Sequence, residues 1–127
     1  MSKWLLIAVG GALGSVLRYA AQGWMHRWVG GNFPVGTMTV NVAGCLIIGA
    51  IAAATAGPAL LREELRIALM VGVLGGFTTF SAFGLETFNL ANVGQFRLAI
   101  ANVVLSCSLG LAAVWLGYRL TERWLGV

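Results

Sequence analysis

The residues with the most chemical content are gathered in one short run, GVLGGFTTFSAF at positions 72–83. There Gly75 and Gly76 precede Thr78, Thr79 and Ser81, with Phe80 and Phe83 interleaved. Adjacent glycines followed by hydroxyl side chains, which compete for backbone hydrogen bonds, make a poor continuous helix, so a break is expected. At membrane depth, non-helical backbone is tolerated only when buried in protein or lining a wet cavity, and interrupted helices of transporters hold ions on freed carbonyls and half-helix ends. Phe80 and Phe83 lie three apart and project to one side once helix resumes. Such a pair is commonly core packing; the interleaved Thr78, Thr79 and Ser81 favour a pathway. An aromatic ring has a negative face and a positive edge, so ring edges suit an anion and faces suit a cation. With Asn41 supplying an amide N–H and Thr37 or Ser106 a hydroxyl, a small dehydrated anion can pass between weak donors with no Lys or Arg to trap it.

Three groups are costly at depth: Arg18, Glu86 and Asn41. A charge at the bilayer centre costs ~2.5 to 3.5 kcal/mol on insertion scales, which makes each a functional candidate. Arg18 either snorkels or lines a vestibule. Glu86 either pairs with Arg18 or caps a polar track. The amide of Asn41 either makes a packing hydrogen bond or serves the pathway. The remaining titratable inventory is one His and, with Glu86, four Glu and no Asp. It offers no nucleophile with a partnered base, no metal-ligand spacing and no phosphate-binding loop, so an enzyme is not expected. His26, beside Arg27, reads as a solvated interfacial residue. Cys45 and Cys107 sit in separate apolar runs and read as small, reduced, buried hydrophobes.

These groups must be positioned by apolar elements. Of 127 residues, 59% are hydrophobic and 9% charged, and mean hydropathy is +0.88; a water-soluble globule is excluded. At ~20 apolar residues per crossing, four spans use about 80 positions and leave no room for a separate soluble domain. The expectation is an all-α membrane protein, one four-helix domain over 1–127 with spans near 4–25, 35–56, 66–90 and 98–119, the third broken. The N-terminal apolar stretch reads as a retained first span. Turn chemistry lies at 28–34, Gly57 and Pro58 stop the second span, and 60–66 forms a short charged amphipathic connection at headgroup level. Trp4, Trp24, Trp28, Trp115, Tyr118 and Trp124 fall near span ends, where amphipathic rings prefer the interface. Gly10 with Gly14, and Gly72 with Gly76, have the spacing that lets backbones approach closely, either within the chain or between subunits. The net charge of +4 is dispersed, which argues against the contiguous basic face that nucleic acid requires. Lys3, Arg62, Arg66, Arg119 and Arg123 against Arg27 and Arg97 give a modest basic excess that favours cytoplasmic termini.

GGALGSVLRY at 10–19, GTMTVNVAGCLIIG at 36–49 and GGFTTFSAF at 75–83, with Glu86 beyond, occur in the order and spacing of the Fluc (CrcB-type) family of small fluoride channels, which the chain strongly resembles through all four spans. The resemblance implies an antiparallel, dual-topology homodimer enclosing two pores in a prokaryotic inner membrane, passing fluoride passively out of the cytoplasm. It implies that Phe80 and Phe83 present ring edges to fluoride and that Asn41 is the amide donor. Thr37, Thr79, Ser81, Asn102 and Ser106 would line the pathway, with Arg18 and Glu86 in a vestibule or track. A structural sodium ion at the dimer interface would fall on the carbonyls of Gly75 and Thr78. This chain departs from the pattern at Ala82, where Thr is common, and at Val114, which has no hydroxyl, and these two changes shorten the hydroxyl track leading to Glu86; it departs also at Asn102, where Tyr is common. The rival reading is a proton-coupled transporter of the small multidrug-resistance type, but that chemistry needs a carboxylate in the first span, which here has Arg18 and no acid. A non-conducting assembly subunit would need no deep polar groups at all.

Overall fold

The computed structural model describes residues 2–56 and 62–126, which are helical apart from short connections and an extended break at Thr78 and Thr79. Helix α1 is Lys3–Val29, α2 Val35–Ala54 and α3 Glu63–Ile67; a π-helical stretch Ala68–Leu74 and the single turn α4 Gly75–Phe77 carry the third traversal to its break. After the break come α5 Phe80–Asn92 and α6 Phe96–Leu125. Four traversals are long and apolar enough to cross a bilayer. The chain is thus a multi-pass membrane protein.

Local chemistry sets the ends. Ser2 caps α1, its hydroxyl accepting from the Leu5 amide. Gly30 and Gly31 take positive φ of 62° and 82° and turn the chain toward Pro34, which immediately precedes α2. Only glycine adopts that conformation at little cost. Glu63 and Glu64 occupy the first turn of α3, where the helix dipole favours acids, and Gly94, at φ 80°, closes α5. The helices run beyond the expected spans: α1 continues to Val29, so the turn begins at Gly30, and α6 reaches Leu125. The third traversal starts at Glu63 rather than 66, because Glu63 to Arg66 are its first helical turn and not a separate surface connection. The expected stop at Gly57 and Pro58 lies outside the described residues; α2 has already ended at Ala54, capped by Thr55.

Two glycine seams hold the bundle together. In the first, α1 meets the third traversal: a Cβ on Gly14 would strike the Val73 carbonyl, one on Gly76 the Gly11 carbonyl, and Gly72 lies against Ile7 and Gly10. In the second, α2 meets α6: a Cβ on Gly49 would strike the Val114 carbonyl and one on Gly117 the Leu46 carbonyl. The glycine pairs seen in the sequence therefore serve packing within one chain. The interior is thin, with Val40, Ala53, Leu74, Leu90, Ala99 and Ala113 as its buried apolar residues. Much of the large apolar surface faces outward, as expected of a chain solvated by lipid tails or by a second copy. The Trp rings 4, 24, 28, 115 and 124 are exposed, and Trp24 and Trp28 meet edge to face at 5.8 Å. Cys107 is exposed and Cys45 half-buried, so within one chain neither is the buried core residue expected.

Candidate functional site

The site is built around the break. Thr78 makes the last helical bond, its amide donating to the Leu74 carbonyl at 2.9 Å. The backbone then becomes extended, with ψ 158° at Thr78 and φ −152°, ψ 114° at Thr79. Asn41, on α2, takes both backbone groups of Thr79: its Oδ1 accepts from the Thr79 amide at 2.7 Å and its Nδ2 donates to the Thr79 carbonyl at 3.0 Å. One side-chain amide thus substitutes for the helical bonds that the break removes, as a buried backbone requires. Helix resumes because Thr79 is an N-cap, its Oγ1 accepting from the Ala82 amide at 3.2 Å.

The break separates two cavities. One, of about 380 Å³, is lined by Asn41, Gly44, Cys45, Phe80, Phe83 and Ser106 together with the break residues Gly75, Thr78 and Thr79. None of its lining residues carries a charge. Phe80 and Phe83 stand with ring centroids 5.5 Å apart, tilted by 46°, and Phe80 is 82% exposed, so its rim is not wedged among aliphatic neighbours. The second cavity, about 540 Å³ and more polar, is lined by Ser15, Arg18, Tyr19, Gln22, Thr79 and Ser81. Arg18 does not pair with Glu86. Its Nη1 donates to the Thr78 carbonyl at 3.1 Å instead, which sets a cation beside the break on the vestibule side.

Glu86 closes a separate chain of hydrogen bonds. The Gln22 amide donates to the Thr37 hydroxyl at 3.0 Å, and that hydroxyl donates to Glu86 Oε1 at 2.6 Å. Glu86 Oε2 is buried with no partner in the described chain. Gln22, Thr37, His26 and Glu86 share a small cavity of about 200 Å³. Thr37 is therefore not beside the Phe pair, although Asn41 on the same helix is. Asn102 also departs from the lining role expected of it. At 1% exposure it has no surface to offer an ion, and its amide is spent on Thr87 and Ser106. Ser106 does line the Phe cavity, and its hydroxyl hydrogen is lent to Asn102 Oδ1 at 3.2 Å, long for an O–H···O bond.

Two participants were missed by sequence reading. Gln22 follows Arg18 by four residues, on the same face of α1, which was a usable signal. Thr87 carried none, since a Thr in a membrane helix ordinarily satisfies itself on the preceding turn.

The break also bears on sodium. In a continuous helix the Thr79 amide would bond the Gly75 carbonyl; it goes to Asn41 instead, which leaves that carbonyl free of its usual partner. The Thr78 carbonyl keeps one lone pair beside Arg18. The two oxygens suit a hard alkali cation chemically, but they are fewer than such an ion needs, so a second copy would have to bring another pair.

Residues 5–118 match the family described as CrcB-like protein, Camphor Resistance (CrcB). A protein of Opitutus terrae is 52% identical over 120 residues, covering 93% of this chain and 91% of its own. One of Geobacter metallireducens is 49% identical over 111 residues, 87% of this chain and 90% of its own. One of Methylobacillus flagellatus is 42% identical over 123 residues, 96% of each. All three relatives carry the name Fluoride-specific ion channel FluC.

Proposed function

The chain belongs to the CrcB-like family, and from that premise we propose that it is a fluoride-selective channel of a prokaryotic inner membrane, letting the ion leave the cytoplasm passively, and not an enzyme. The observation that carries this is the uncharged cavity at the break, where Phe80, Phe83, Asn41 and Ser106 face the same space. A dehydrated fluoride needs several weak donors: ring-edge hydrogens and an amide N–H supply them, while the Ser106 hydroxyl hydrogen is held by Asn102. Asn41 Nδ2 has a second hydrogen beyond the one held by Thr79. Because no lining group is cationic, binding is weak enough for release and throughput. Arg18, on the vestibule side with Ser81, raises the local anion concentration before that step. Thr37 and Glu86 extend a polar track from Gln22, which also lines this vestibule.

The working unit we propose is an antiparallel homodimer embedded in lipid, with a structural sodium ion held at the interface by the Gly75 and Thr78 carbonyls of both copies. When bound there, such an ion would supply the positive charge that holds the two interrupted helices together, with no part in anion passage. The outward-facing Phe80 ring and the freed Gly75 carbonyl support this arrangement. The test of function is ion release from liposomes loaded with fluoride or with chloride, voltage clamped by a potassium ionophore. Fluoride alone should leave; equal release of both, or of neither, overturns the reading.

A further inference from the structure

Among the described residues, one side-chain hydrogen bond joins α5 to α6, and Asn102 makes it. Its Nδ2 donates to Thr87 Oγ1 at 2.9 Å. Thr87, whose single hydroxyl hydrogen is therefore not needed toward Asn102, gives it to the Phe83 carbonyl at 2.7 Å. At the other end Asn102 Oδ1 accepts from Ser106 at 3.2 Å. Every donor in this chain points the same way, from Ser106 through Asn102 and Thr87 to the backbone of Phe83. Its two ends, Ser106 and Phe83, both line the same uncharged cavity, while its middle is sealed from solvent, with Asn102 at 1% exposure. A fully buried amide is costly unless its groups are satisfied, and a network whose members are satisfied fixes a unique geometry.

We propose that Asn102 is a positioning residue for the anion path: by tying Ser106 on α6 to the Phe83 turn of α5 through Thr87, it sets the spacing of the two walls without touching the ion. The proposal rests on the channel reading above. A small dehydrated ion gains from ring edges and an amide N–H only when they stand within contact of it at once, so a wall spacing fixed by a buried amide is a selectivity determinant, whereas a cavity free to widen would admit a hydrated ion instead.

The test uses full-length protein in liposomes with three variants: Asn102→Leu, close in volume but without the amide; Thr87→Val, isosteric without the hydroxyl; and Thr87→Ser, which keeps it. Fluoride efflux should fall about tenfold in Asn102→Leu and in Thr87→Val, the scale of a lost buried hydrogen bond. The double variant should lose no more than either alone, and Thr87→Ser should restore wild-type efflux. A second readout is independent of conduction: 4-fluorophenylalanine placed at position 83 should shift its ¹⁹F resonance in Asn102→Leu and Thr87→Val and return with Thr87→Ser. Losses that multiply in the double variant, or wild-type efflux and resonance in Asn102→Leu, overturn the proposal. Wild-type liposomes that pass no fluoride overturn the channel reading, and the resonance then decides the Asn102 coupling alone.

Discussion

On the channel reading proposed above, Asn41 would serve both the break and the anion with one amide. Its oxygen and one hydrogen are committed to Thr79, and the second hydrogen is left for the cavity. Asn41→Leu should therefore cost about 1–3 kcal/mol, because the Thr79 amide is left unpaired, and it should abolish fluoride efflux as well; a thermal-unfolding midpoint in detergent and the liposome assay read the two effects separately. Phe80→Ile and Phe83→Ile keep an apolar surface but remove the ring-edge hydrogens. Both should cut fluoride efflux at least tenfold with an unchanged elution volume on sizing, and unchanged efflux would return both rings to packing. The residue types at the break were legible because glycine and hydroxyl residues in an apolar run contradict helix locally. The partners of Arg18, Glu86 and Asn102 were not. When a helix is apolar all round, no periodicity marks which face it turns to its neighbours, so the sequence cannot say that Arg18 reaches Thr78 or that Asn102 turns to Thr87.

At the scale of elements, the count, order and type of helices followed from apolar run length, and the break in the third traversal from its composition. Helix ends were read short by up to six residues, at α6, because charged residues such as Arg119 and Glu122 pair along the helix and do not end it. The π-helical stretch Ala68–Leu74 had no signature in its residues. It runs along the seam with α1, where Gly10 approaches the Ala68 carbonyl, and such wide turns are frequent near functional sites. The seams give a direct test. Gly14→Ala and Gly49→Ala each place a Cβ on a backbone carbonyl of the facing helix, and helices forced apart should lose ~1–3 kcal/mol. Gly23→Ala, which meets nothing, should be neutral or slightly stabilising. Melting midpoints of the three variants check the contrast.

For the whole molecule, the proposed dimer would cover the outward-facing Phe80 and build an oxygen cluster from the Gly75 and Thr78 carbonyls of two copies. If two copies complete it head to tail, single-cysteine variants near Ser2 and near Gly126 should be labelled by an impermeant reagent from both sides of the membrane. A single accessible side refutes antiparallel pairing. Replacing sodium with N-methylglucamine should loosen the dimer on sizing without changing helix content by circular dichroism. Neither the pairing nor the ion is legible in apolar patterning, because lipid and a second copy cover such a surface equally well. The modest basic excess on the face that carries both termini is the directional mark the sequence offers.

The 27 residues of α1 and 30 of α6 correspond to rods of roughly 40 and 45 Å at 1.5 Å per residue, against a hydrocarbon slab of ~30 Å. Upright, they would stand proud of the bilayer by about a quarter and a third of their lengths; leaning, they bring the indole girdles back to the glycerol level. Acyl-chain length thus becomes a handle on posture: thicker bilayers should straighten the bundle and thinner ones tip it, with the pivot falling where the third traversal is already severed.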